Sequence, residues 1–181
     1  MNENKERPFE GNYRNYSRLV QSGYEEPLST HADRYQLNYA YGVSAYTKGS
    51  VFLSQLGYLI GEENLKKTLK RFYDEWKFKH PTPNDFIRVA EKVSGSQLGW
   101  YLLDWTQTTH YVDYGISEVS GVGEQTLVRL ERIGNIPMPV ELLVSYTDGT
   151  SEMIYIPLQM MRFTKPAGEN ISRTVASRWA W

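Results

Sequence analysis

The chain lacks cysteine altogether, has only three histidines, and contains no apolar run near the ~18 residues a membrane-spanning helix needs. Each shortage removes a class of protein. Without cysteine there is no disulfide framework, no thiolate metal site and no thiol nucleophile. That leaves the compartment open, because exported proteins can also lack cysteine. His31, His80 and His110 lie far apart, and none forms the H-x-x-x-H pair that sets two imidazoles on one helix face. An excess of either charge is missing too: 20 Lys+Arg stand against 21 Asp+Glu, for a net charge of −1. A nucleic-acid surface shows a basic excess. The densest basic stretch here, KKTLKRFYDEWKFKH over 66–80, is interleaved with acids and apolar residues, as on a solvated helix face. Neither nucleic acid nor a membrane span is expected. The opening MNENKERPFEGNYR has no apolar h-region, so no signal peptide is expected. G-x-S-x-G elbows, P-loops and dinucleotide fingerprints are also absent.

What is present falls into two periods. With 181 residues and 40% hydrophobic content, the chain can bury one good core or two small ones. Up to about residue 108 the pattern is helical. NYRNYSRLVQSGY (12–24) reads as a helix ending at Gly23, followed by an aperiodic connection with Pro27, Ser29 and Thr30. A helix is expected over 41–61. Leu65, Leu69, Phe72 and Trp76 then mark one face of a helix over roughly 62–79. Thr82 is a good N-cap, with Pro83 at the first helical position and Asp85 in the first turn. Phe86, Val89, Ala90 and Val93 give that helix its buried stripe, and Gly95 stops it. A last helix near 97–108 presents Leu98, Tyr101, Leu102 and Trp105.

From residue 111 the period becomes two. QTLVRLERIG (125–134) alternates, and PVELLVSYTDGTSEMIYIPL (139–158) places two β-rich runs around Asp148-Gly149, a hairpin turn pair. ENISRTVASRWAW at the end is a candidate further strand. Four or so short strands are few for a closed sandwich, so a cut domain is expected.

The helix expected over 41–61 is unusual at its start. Its second half is plainly core, yet its first turns hold Tyr41, Tyr46, Thr47, Lys48 and Gly49. A helical tyrosine is ordinarily a core or boundary residue with a satisfied hydroxyl. Lys48 reads as structural or solvent-facing, and Trp76, Trp100 and Trp105 as packing residues. On local chemistry alone no complete enzyme emerges.

Order and spacing add more. Tyr46-Thr47-Lys48-Gly49 precedes an apolar helix. Then come Leu59-Ile60-Gly61-Glu62-Glu63, the aromatic run Phe72 to Trp76, Thr82-Pro83-Asn84-Asp85-Phe86, and Ser94-Gly95. This arrangement resembles the segment that follows the zinc-binding helices in aminopeptidase N-type zinc metallopeptidases, the gluzincins. GNIPMPVELLVSYTDGT is similar to the β-sandwich module after the catalytic domain in one branch of that family. The resemblance implies an α+β chain: a helical bundle over 1–110, forming the C-terminal part of a thermolysin-like catalytic domain, then a truncated antiparallel β-sandwich, fibronectin-III-like, over 111–181.

The resemblance also implies roles. Tyr46 takes the place of the tyrosine whose hydroxyl stabilises the oxyanion of the tetrahedral intermediate during peptide hydrolysis. A phenol stays neutral near pH 7 and donates one directed hydrogen bond, which suits that task. Tyr41 and Gly49 are further candidates for the substrate cleft, Gly49 because a glycine lets a neighbouring segment approach closely. The family's HExxH motif, with its general-base glutamate, and the downstream zinc-binding glutamate are absent from this sequence. The expectation is therefore a C-terminal fragment, inactive by itself, whose parent uses zinc, acts on peptides, relies on a missing N-terminal catalytic half, and is exported to the periplasm or envelope. The competing expectation is a non-catalytic helical-plus-β interaction module.

Overall fold

In a computed structural model describing residues 9–161 apart from 124, the change of sequence period becomes a change of architecture. Helices come first: α1 (Glu10–Ser22), α2 (Asn38–Gly42), α3 (Gly49–Ile60), α4 (Glu62–Trp76), α5 (Pro83–Ser94) and α6 (Gly99–Gln107). A π-helical turn, Val43–Lys48, joins α2 to α3 without a break. Strands follow: β1 (Tyr114–Val122), β2 (Gln125–Arg132), β3 (Val140–Ser145) and β4 (Ser151–Ile156), then the short α7 (Leu158–Met161). One compact unit ends at His110 and a second begins at Tyr111. The class is α+β, with no closed barrel among the described residues.

Local chemistry sets the helix ends. α1 stops where Gly23 turns left-handed, with φ 73°. α5 opens on the capping box that its sequence predicts. The Thr82 hydroxyl accepts from the Asp85 amide, and the Asp85 carboxylate accepts from the Thr82 amide at 2.9 Å. Gly95, at φ 70°, closes the same helix.

The core of the helical unit joins α1, α3, α5 and α6 through Leu19, Leu56, Ala90, Leu98, Tyr101 and Trp105, all nearly or wholly buried. Burying one such leucine rather than exposing it is worth about 1.5–3 kcal/mol. The expected face of α6 is buried in full. α4 departs from expectation: Leu69 is 42% exposed, and Thr68 is the residue buried there. The i, i+3, i+4 rule leaves a stripe's edge free by one position, and here the stripe turns toward Thr68. On α5, Ile87 joins Val89 and Ala90 inside, while Phe86 and Val93 are half-buried.

In the second unit, β1 and β2 pair antiparallel with a bulge between Ile116 and Glu118. β3 and β4 pair antiparallel across the expected turn, where Gly149 adopts φ 87° and the Thr150 amide donates to the Asp148 carboxylate. The two hairpins are separate two-stranded sheets. Gly134 allows a close approach, because a side chain there would run into the backbone of Tyr111 and Asp113. The strand expected within ENISRTVASRWAW lies outside the described residues.

Candidate active site

The unusual helix start of the sequence is the π turn. Along α2, the turn and α3, the buried residues are Ala40, Ser44, Lys48, Val51, Phe52, Leu56, Gly57 and Ile60, and as far as Lys48 they recur at every fourth position. A true α-helix repeats every 3.6 residues, so each step of four overshoots by about 40°. Left alone, that drift would carry the stripe off the core. The wider π turn absorbs part of it: the Gly49 amide donates to the Ser44 carbonyl, five residues back. Such single π turns occur often at functional sites.

Tyr46 sits within this turn and is 77% exposed. Its hydroxyl has no hydrogen-bond partner among the described residues, so the donor is free for a ligand. Tyr41, five residues earlier, is 37% exposed and meets the Tyr35 ring edge-on at 5.5 Å. Tyr35 is itself held by donating to the Pro27 carbonyl. Tyr41 lies in α2, just before the turn, and both tyrosines are open to solvent.

Gly49 opens α3. A Cβ added there would meet nothing within 4 Å, so no described segment approaches it closely. A close approach occurs about two turns later, at Gly57, where a Cβ would come within 2.9 Å of both the Glu62 carboxylate and the Leu65 side chain. There the chain folds back from α3 into α4.

Lys48 is structural, and its anchorage was not apparent from its sequence neighbours. Its side chain is fully buried, with Nζ 2.6 Å from the Glu25 carboxylate, 3.4 Å from the Thr108 carbonyl and 5.6 Å from the centre of the Tyr16 ring. The Glu25 side chain is 5% exposed. Burial, with the Glu25 charge beside it, pushes the Tyr16 phenol far above its ordinary pKa, so it stays protonated. Glu25 went unrecognised because it lies in the aperiodic connection after α1. The signal that could have found it is Lys48 itself, a lysine on an otherwise buried every-fourth stripe, which demands a partner. A polar seam secures the other side of the helix: Asn12 donates to Ser50 at 2.7 Å, and Tyr13 bonds Ser54 and Gln55.

No group of three or more His, Asp or Glu among the described residues is placed to hold a metal ion. His110 pairs with Asp104 at 3.1 Å and His31 lies near Asp33, each a pair and no more. These residues therefore do not fit a catalytic zinc. An apolar recess of about 200 Å³ opens between Leu28, Phe52, Pro83, Phe86 and Leu102. Tyr41, Tyr46 and Gly49 do not line it.

Residues 6–105 match the peptidase family M1 domain, and the chain belongs to that family. Full-length members of the family hold zinc. No curated protein matches the chain.

Proposed function

We propose that this chain carries the oxyanion-donor side of an aminopeptidase-like active site, with Tyr46 as the donor. The observation that carries this reading is the unpartnered, 77% exposed Tyr46 on a π turn inside the family-matched span. When water adds to a scissile carbonyl, negative charge develops on the carbonyl oxygen. A preorganised phenol aimed at that oxygen stabilises it without reorganisation. Tyr41, exposed just before the turn, borders the peptide's path in this reading. In this reading the zinc ligands and the general base come from sequence outside these 181 residues, and the chain alone does not hydrolyse peptides. The parent is an exported peptidase.

The test is peptide hydrolysis, with zinc supplied, by the longer protein that carries this segment. Tyr46→Phe keeps the ring and removes only the hydroxyl. A fall of about 10²–10³ in kcat, with folding unchanged, supports the donor role. An active parent indifferent to the change makes Tyr46 structural.

One observation favours a second reading, an interaction module. Leu143 and Met153, directly paired across β3 and β4, are 59% and 57% exposed, and Tyr155 on the same face is 54% exposed. An apolar hairpin face with open edges suits strand addition by a partner. A parent without peptidase activity moves the balance to this reading.

A further inference from the structure

We propose that the buried Lys48–Glu25 ion pair is a positioning device, which locks the π register of Val43–Lys48 and so fixes the outward aim of Tyr46. The proposal draws its catalytic meaning from the reading of Tyr46 as donor, but its structural content stands apart from it.

The reasoning begins with what the pair is for. Taking a lysine and a glutamate out of water is costly, and apolar residues of similar size are often as stabilising. The best-attested use of such a pair is to specify register, because it penalises every alternative sharply. Here a competing register exists. The segment 38–60 is helical throughout, and an uninterrupted α-helix is the ordinary way to run it. The aliphatic positions of the stripe tolerate small rotations. Lys48 does not: a slip of one residue would bring Thr47 or Gly49 opposite Glu25 and leave a buried carboxylate without a cation.

The partners of Lys48 are themselves fixed. Glu25 stands in the connection after α1, which is tied down where the Ser29 amide donates to the Thr106 carbonyl and the Tyr35 hydroxyl donates to Pro27. Thr108, whose carbonyl receives the second lysine bond, closes α6 and is held by its own hydroxyl donating to Asp104. The Tyr16 ring covers the ammonium from α1. Three parts of the helical unit thus converge on one nitrogen. Tyr46 precedes it by two residues on the same turn and emerges on the exposed side. Fixing Lys48 inward fixes Tyr46 outward.

The experiment uses the whole chain with ring-labelled tyrosine and amide hydrogen exchange, followed by NMR. The Tyr46 signal is assigned from Tyr46→Phe, and Tyr73, exposed on α4, serves as an internal control. Lys48→Met combined with Glu25→Gln removes both charges while keeping side-chain volume. Expected is a cooperatively folded protein in which the Gly49 amide loses about tenfold or more of its protection. The Tyr46 ring signal moves and the Tyr73 signal does not. If the combined variant fails to fold, Glu25→Gln alone, which preserves shape, must show the same two changes. A folded variant with the Gly49 amide and Tyr46 ring unmoved overturns the proposal. Failure of the donor reading looks different: Tyr46→Phe leaves the parent's hydrolysis intact, while the NMR changes in the pair variant persist.

Discussion

The hydroxyl of Tyr101 lies 2.7 Å from the carbonyl oxygen of Phe52 and donates to it inside the core. This bond ties α6 to the helix that continues from the π turn. Tyr101→Phe should lower stability by about 0.5–1.5 kcal/mol, read as a lower urea midpoint at an unchanged slope. Burial holds the Tyr101 and Tyr16 phenols above their ordinary pKa. Raised folded values mean that their contribution is complete below the usual phenol range and is lost as pH climbs through and beyond it. Stability should therefore fall steeply above about pH 10, and less steeply in Tyr101→Phe.

The capping box of α5 makes a separable prediction. Thr82→Ala should cost about 1 kcal/mol in chemical denaturation. The Thr82 hydroxyl, then its amide, hold the Asp85 carboxyl below the usual aspartate range. A lowered folded pKa gives stability that is present above the ordinary value and lost as pH falls through the lowered one. Asp85→Asn should flatten the acid limb of a stability-against-pH curve, and an unchanged limb would place the acid sensitivity elsewhere.

Two glycines of one helix should answer alanine oppositely. At Gly49 the new methyl meets nothing, and alanine's helix preference should add about 0.5–1 kcal/mol of stability. At Gly57 it would press on Glu62 and Leu65, which must move, so the same change should yield no gain or a loss. Thermal melts of both variants decide this. If Gly49 also borders the substrate path, Gly49→Ala should raise the melting temperature yet weaken peptide turnover in the parent.

Phe78 is wholly exposed and left-handed, with φ 64°. A side chain in that conformation costs about 1–2 kcal/mol, part of which glycine returns as lost chain freedom, for a net gain near 0.5–1 kcal/mol. Phe78→Gly should raise the melting temperature slightly. A lowered melting temperature would mean that the ring has a packing role.

Some of this molecule was open to reading from residue order alone. Thr82, Pro83, Asp85 and Gly95 mark the ends of α5 because caps act over three or four residues, well within reach of a local pattern. Asp148-Gly149 marks its hairpin for the same reason. Leu69 misleads because a helical stripe has a width, and its edge depends on what α4 packs against. The π turn escaped because a helix was expected wherever apolar residues recurred, and the spacing of four from Ala40 through Ser44 to Lys48 differs too little from 3.6 over so short a span. Glu25 is legible only through Lys48, 23 residues away, by the need of one buried charge for another. The close packing at Gly57 went unread, since the sequence names a glycine without saying which neighbour comes near it.

The burial of Lys48 has a practical side. Acylating reagents modify only amines they can reach, and this one is enclosed by a carboxylate, a carbonyl and an aromatic ring. Lys66, by contrast, stands in solvent with a side chain 69% exposed. Lys48 should be the laggard when the chain is labelled, reacting only on occasions when the turn opens. Its slow modification, followed by mass spectrometry, becomes a clock for how often the helix beneath Tyr46 comes undone.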